Sequence, residues 1–271
     1  MKNIMSVDFE DELLSLPSSE RPLYEKQFTE TTNILLNLLR KYNAKATFFT
    51  LGSTAENFPD LIKSIQEDGH EIASHSYSHI DLRKVSKDEF RKDFLKSLEV
   101  LEKITGEQIL GFRAPWFSID HNNFWVFDFF RKYLKYDSSV FPVRTPLYGL
   151  PKAPREIYHP AVHDVTKNDD KESFIEIPPL TYRIFFNNIP IGGGFFLRSL
   201  PYFLIKKSFE IFNKNNKPAM FYIHAHDLTS TLTKFSRNGW RKKYGTKNAI
   251  KKYEQLLKDF EFTTAKKILG L

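Results

Sequence analysis

Gly69-His70-Glu71-Ile72-Ala73-Ser74-His75-Ser76-Tyr77-Ser78-His79 runs from a glycine through a short β-like segment to two histidines four residues apart. The glycine stops the helix before it, His70 to Ala73 reads as a strand, and polar side chains follow at the strand's end. One helical turn there would bring His75 and His79 to a single cation. The spacing alone fits two surface histidines equally well, so its meaning depends on what the rest of the chain brings to the same place.

The same sequence of events recurs along the chain. Ile4 to Val7 reads as a buried strand ending in Asp8-Phe9-Glu10-Asp11. Ala46 to Leu51 is a continuous apolar strand halted by Gly52, Ile109 to Phe112 runs into Arg113-Ala114-Pro115-Trp116, and a short strand ends at Tyr136-Asp137-Ser138-Ser139. Ala219 to Ile223 ends at His224. Between these strands lie helical patterns: about Tyr24–Tyr42, a second opened by Pro59, and one behind the Ser86–Glu89 capping box that ends at Gly106. Further helices cover about Asn122–Tyr133, Pro201–Phe212 and Lys247–Phe260. Short strands that are apolar on both faces, alternating with helices, predict a parallel sheet covered by helices. In an α/β barrel of that kind every strand C-terminus opens on one face, so Asp8 to Asp11, His75 with His79, Arg113 and His224 converge. Regularity lapses from about 141 to 200, which reads as an irregular insertion in a single domain spanning 1–271. Gly192-Gly193-Gly194 lies there; no P-loop Lys-Ser/Thr follows, so chain geometry is its expected role.

Composition narrows the chemistry. The 271 residues include 26 Phe and no Cys, so the core is heavily aromatic and disulfides, thiolate zinc sites and a cysteine nucleophile are excluded. Any metal must be held by histidines and carboxylates. The net charge of +7 suits a phosphate-bearing or membrane-surface substrate, or simple solubility. Arg237, Arg241, Lys242 and Lys243 form a basic run that reads as a solvated face or as a handle for an anionic phosphate. Met1 to Val7 holds no apolar leader and no long apolar window follows, so the expected address is cytoplasmic.

One carboxylate with two histidines makes a metal set with positions left for water and substrate. A second carboxylate beside it can take a proton from water, Arg113 can keep that base ionised, and His224 can protonate a leaving group. Together these describe metal-assisted hydrolysis of an amide or ester. Strand alternation puts Glu10 on the same face as Asp8. Asp11 has the shorter ligand side chain and is preferred as the metal carboxylate, with Glu10 as the alternative.

The motifs Ser6-Val7-Asp8-Phe9-Glu10-Asp11, Ala46 to Gly52, Gly69 to His79, Gly111 to Trp116, Tyr136 to Ser139 and Tyr222-Ile223-His224 resemble, in order, those of the polysaccharide deacetylases of the NodB-homology type, carbohydrate esterase family 4. Ile189 to Arg198 and Phe260 to Thr264 are similar to the branch found in exopolysaccharide and O-antigen gene clusters. The resemblance implies a distorted (β/α) barrel of about seven parallel strands, a divalent metal, most often Zn2+, and removal of an acetyl group from an N-acetylated sugar. By position it implies Asp8 as catalytic base, Arg113 as the residue that orients it and His224 as general acid held by Asp137. His75 and His79 then match the metal histidines, with Asp11 or Glu10 as the third ligand. Trp116 matches the groove wall, with Pro115 and Tyr77 expected to contact substrate beside it. The expected partner is a nucleotide- or lipid-linked N-acetyl sugar or an oligosaccharide, with peripheral contact at the inner membrane face and no nucleic acid. The residues after His224 (Ala225-His226-Asp227) depart from that branch's His-Pro-Trp-Glu, and their role is open.

Overall fold

The computed structural model describes residues 1–235 and 243–271. Its centre is β1 (Lys2–Phe9), buried at every position except Lys2. One edge of β1 pairs with β9 (Met220–His224), from Ile4 opposite Met220 to Asp8 opposite His224. The other edge is shared: β2 (Thr47–Thr50) takes Ser6 to Phe9, and β10 (Glu261–Thr263) takes Lys2 to Ile4. Beyond β2 follow β3 (Glu71–Ser74), β4 (Gly111–Phe112), β5 (Tyr136–Asp137) and β6 (Ile175–Glu176), each parallel to its neighbour. The eight parallel strands thus occupy seven positions, since β2 and β10 divide one edge of β1. The sheet curls. Past β6, backbone bridges from Pro179 to Met220 and from Gly193 to Tyr222 bring the chain back to β9. This is the parallel sheet expected from the strand–helix rhythm, curled into the distorted barrel that the family resemblance implied.

The helices form because their apolar residues share one side. α1 (Arg21–Lys41) starts on Pro22 and buries Tyr24, Phe28, Leu35, Leu36, Leu38 and Leu39. After β2 comes a helix that the sequence reading missed, α2 (Gly52–Asn57), then α3 (Pro59–Glu67). α4 (Lys87–Thr105) is stopped at both ends by its own sequence. Ser86 and Glu89 bond each other's backbone in a capping box, and Gly106 closes the far end at φ 70°. α5 (Val126–Tyr133) is shorter than the expected Asn122 start. α6 (Gly194–Ser199), α7 (Tyr202–Lys214), α8 (Ala249–Asp259) and α9 (Ala265–Leu269) complete the cover. Rings of Phe90, Phe94, Phe112 and Phe130 pack between α4, β4 and α5 at centroid separations of 4.8–6.5 Å. At the bottom of the barrel the buried Glu71 carboxylate accepts from Thr47 Oγ1, Tyr136 OH and Lys266 N, tying β3 to β2, β5 and α9.

The expected irregular insertion is partly ordered as a hairpin of β7 (Thr181–Ile184) and β8 (Asn187–Pro190). Of the basic run near the end, Arg237, Arg241 and Lys242 lie outside the described residues. Among the described residues no helix is long and apolar enough to cross a membrane.

Candidate active site

The parallel register sets Asp8, Thr50, Ser74, Phe112, Asp137 and His224 along one rim. The ladder continues one residue past several strand ends: His75 N donates to Thr50 O and Arg113 N to Ser74 O, both at 2.9 Å. The backbones that carry His75 and Arg113 are therefore fixed by the sheet itself.

β1 delivers two carboxylates to this rim. Asp8 is buried, and its Oδ1 accepts from Arg113 Nη1 at 2.6 Å. Arg113 is fully buried, a costly place for a guanidinium unless every donor is met. Its Nη1 also reaches Ser6 Oγ at 3.0 Å, Nε donates to Ser138 O at 3.2 Å, and Nη2 donates to Ser138 Oγ at 2.8 Å. The guanidinium carbon lies 4.1 Å over the Phe49 ring.

Glu10 lies two residues on, on the same side of the chain. Its Oε2 is 2.8 Å from His79 Nε2 and 3.9 Å from His75 Nε2. Burial alone would raise this carboxyl, but His79, His224 and His75 together hold it well below the usual carboxylate range. His75 is buried, and burial drives its imidazolium pKa down to about 4, so it is neutral near pH 7. Its Nδ1 lies 2.7 Å from Arg113 O, which fixes the proton on that nitrogen and leaves Nε2 as a lone-pair donor facing Glu10.

His79 reaches the site by a turn and not by a helix. Ser76 and His79 have φ of 69° and 57°, and His79 N donates to Ser76 Oγ at 3.0 Å. Non-glycine residues rarely adopt that region, and here the surroundings enforce it. Asp93 of α4 accepts from Tyr77 N and Ser78 N, and Gly52 leaves room for the loop, since a Cβ there would meet Tyr77 Cδ2 at 2.6 Å. The ligand atoms of Glu10, His75 and His79 all lie within 4.8 Å of one another. Two neutral-capable imidazoles and one carboxylate at that separation fit a divalent cation such as zinc.

Asp11, the preferred carboxylate from sequence, is not part of this cluster. Its Oδ1 accepts from Leu13 N at 2.6 Å, closing the turn that leads out of β1, and Oδ2 accepts from Asn57 Nδ2 at 3.3 Å. The extended backbone carries Glu10, not Asp11, to the face of Asp8.

His224 stands at the end of β9. Its Nε2 is 3.5 Å from Glu10 Oε1 and 3.9 Å from Asp8 Oδ2. The residue that holds it is Asp227, three positions later on the turn Ala225–Asp227 and missed from sequence. Asp227 Oδ2 accepts from His224 N at 2.8 Å and faces Nδ1 at 3.3 Å, while Oδ1 accepts from Arg198 Nε at 2.9 Å. Burial opposes the imidazolium, but the Asp227 hydrogen bond and the charges of Glu10, Asp227 and Asp8 raise His224 to about 9. Asp227 itself, though buried, is held below the usual range by His224, His226 and Arg198. Gly194 permits the contact, since a Cβ there would come within 1.8 Å of Asp227 Oδ2. His224, His226 and Asp227 also bring ligand atoms within 4.8 Å, but Asp227 is already committed to Arg198 and His224.

Asp137, expected to hold His224, does other work. It accepts from Ser139 N at 3.0 Å and Ser139 Oγ at 2.6 Å, and Ser139 Oγ in turn accepts from Ala114 N at 2.7 Å. It thereby braces the backbone beside Arg113. Trp116 is 59% exposed at φ 61°, with its ring 5.0 Å from that of His79. It lines two cavities that also share Asp8, Glu10, His79 and His224. One, of about 390 Å³, extends over Tyr24 and Leu51; the other, of about 520 Å³, over Arg83, Leu147, Tyr148 and Tyr222. Pro115 is buried and shapes the turn that presents Trp116. Tyr77 turns away from both cavities: its OH donates to Glu56 at 2.6 Å and its ring lies under Lys96.

This constellation can be set beside known proteins. Residues 20–127 match the polysaccharide deacetylase family. Residues 138–270 of the same chain match a second family described as a domain of unknown function, DUF3473. A peptidoglycan-N-acetylglucosamine deacetylase of Bacillus cereus is 42% identical over 93 residues, 34% of this chain and 34% of that protein. The chain thus spans about a third of the length of that curated relative. Among solved structures, a candidate polysaccharide deacetylase from Mycobacterium smegmatis is similar at TM-score 0.60 and 20% identity, covering 100% of this chain and 90% of its own. The allantoinase PuuE is similar at TM-score 0.63 and 17% identity, covering 98% of this chain and 88% of its own. At those identities the two structures speak for the fold alone.

Proposed function

We propose that this chain is a metal-dependent hydrolase that removes the N-acetyl group from an amino sugar of a surface-polysaccharide precursor, releasing acetate. One observation carries the reading: an Asp227-held His224 stands with its Nε2 3.9 Å from the Arg113-locked Asp8 and 3.5 Å from Glu10 of the Glu10–His75–His79 cluster. Glu10, His75 and His79 would hold the cation, which supplies Lewis-acid polarisation of the acetamide carbonyl and acidifies the attacking water.

The chain's own groups account for the proton transfers. Asp8, fixed by the guanidinium and by the sheet, takes the proton of the attacking water. Arg113 orients that carboxylate through a charge-assisted hydrogen bond of 2.6 Å. His224, charged near neutral pH, gives its proton to the departing nitrogen as the C–N bond breaks, and acetate and a free amine result. Trp116 offers an exposed indole face against which a sugar ring packs. The relative named as a peptidoglycan-N-acetylglucosamine deacetylase supports an N-acetylated sugar as substrate, and the net charge of +7 suits a phosphate-bearing precursor.

The test is acetate release from a panel of N-acetyl sugars: free oligosaccharides, nucleotide-linked sugars and lipid-linked sugars. Activity on at least one, lost with a chelator and restored by zinc, is the expected result. Release from O-acetyl esters or small cyclic amides alone would sink the assignment.

A further inference from the structure

The β7–β8 hairpin carries side chains that neither the core nor the active site uses. Its ladder runs from Thr181 opposite Pro190 to Ile184 opposite Asn187, leaving Phe185-Phe186 as a two-residue loop. The two rings are 89% and 92% exposed, and Ile184 and Ile189 behind them are 41% and 37% exposed. Phe185 has φ of 52°, a conformation that such loops normally give to Gly, Asn or Asp. Both solvation and backbone ease disfavour phenylalanine at this tip, yet the loop consists of two.

What surrounds the tip is cationic. Phe186 borders a cavity of about 500 Å³ that Lys152, Arg155 and Arg183 also line. Arg155 is held in place by donating to Thr181 Oγ1 and O, both at 2.8 Å. The one acid of that cavity, Glu156, already pairs with Lys217 Nζ at 3.3 Å. A narrow aromatic tip beside a basic hollow matches the chemistry of a bilayer interface: rings enter the headgroup–acyl boundary and cations meet phosphates. A protein partner would call for a broad apolar face, which two residues at a turn do not provide.

We propose that this hairpin is an insertion finger that docks the chain on a bilayer rich in anionic phospholipid. Phe185 and Phe186 enter the membrane, and Lys152, Arg155 and Arg183 face the lipid phosphates. The inference is independent of the deacetylase reading.

The experiment is co-sedimentation of the full chain with phosphatidylcholine vesicles, with and without phosphatidylglycerol. Pelleting should favour the anionic vesicles by more than about tenfold. Phe185→Ser combined with Phe186→Ser should reduce it by more than about tenfold at an unchanged melting temperature. Lys152→Gln combined with Arg183→Gln should weaken it and flatten its salt dependence. In a Phe186→Trp variant the added emission should be quenched by brominated acyl chains. Absence of pelleting, pelleting indifferent to the two serines, or no quenching would overturn the proposal. So would a double-serine variant that only converts a dimer to a monomer in light scattering, which would make the tip a contact between copies.

Discussion

Replacing Asp227 by Asn keeps the size of the side chain and removes the charge that holds His224. Two effects follow and can be measured apart. The first is on stability. Arg198, buried beside Asp227, loses its carboxylate, and breaking a buried pair costs about 3 kcal/mol. For a chain of this size that lowers the melting temperature by about 6–12 °C, leaving the protein folded at room temperature. The second is on proton transfer. His224 sits at about 9 against an ordinary 6.5, and burial pulls it down while Asp227, Glu10 and Asp8 pull it up. Glu10's share shrinks once a cation neutralises it, which leaves Asp227, at 3.3 Å, nearer than Asp8, at 3.9 Å. Without Asp227 the imidazolium falls toward its ordinary 6.5. At pH 8 the protonated fraction then falls from about 90% toward about 3%, a loss of up to about thirtyfold, whereas at pH 6 the loss is less than about twofold. The assay is kcat for acetate release from pH 5.5 to 9.5 with metal content measured alongside. The alkaline limb should move toward acid at unchanged metal content. A limb that stays in place, or equal losses at pH 6 and pH 8, would refute Asp227 as the residue that sets His224's protonation.

Asp8→Asn should lower kcat by about 10²–10⁴-fold while metal binding persists, checked by acetate release and elemental analysis; near-normal turnover would contradict Asp8 as the base. Trp116→Ala should raise KM by about tenfold with kcat little changed, read from saturation curves on a saccharide substrate. Glu176→Gln should flatten the pH dependence of stability. Burial, then the charge of Asp137, raises the Glu176 carboxyl well above its ordinary value, so the folded chain keeps a proton that the unfolded chain releases. Stability is therefore full below about pH 4.5 and falls as pH rises through the folded value. In the variant an amide can serve both Val140 N and Asp137, and its melting temperature from pH 5 to 8 should fall less than that of the native chain.

The barrel was legible because most of its strands announced themselves by apolar residues on both faces and ended in polar ones. Register then did the rest, since β1, β3, β4 and β9 end together and carry Asp8, His75, Arg113 and His224 to one rim. The third metal-set carboxylate was harder to read. Strand alternation pointed to Glu10, whereas side-chain length favoured Asp11, and the turn that consumes Asp11 depends on Leu13 and Asn57, one of them far along the chain. Asp227 had a signal, an acid three residues after His224, but its meaning depends on a tight turn and on Arg198 and Gly194 arriving from α6. The hairpin at 181–190 was hidden because its loop is Phe-Phe, where local rules look for Gly or Asn. β10 was missed because three residues paired to the lower half of β1 carry too little pattern to stand out.

The central claim is that Glu10, and not Asp11, completes the metal site with His75 and His79. Zinc titration calorimetry on the metal-stripped chain, beside Glu10→Gln and Asp11→Asn, tests it most directly. One zinc per native chain, binding weakened by more than about tenfold in Glu10→Gln and unchanged in Asp11→Asn, is the predicted result. Native-like affinity in Glu10→Gln, or a larger loss in Asp11→Asn, would contradict it.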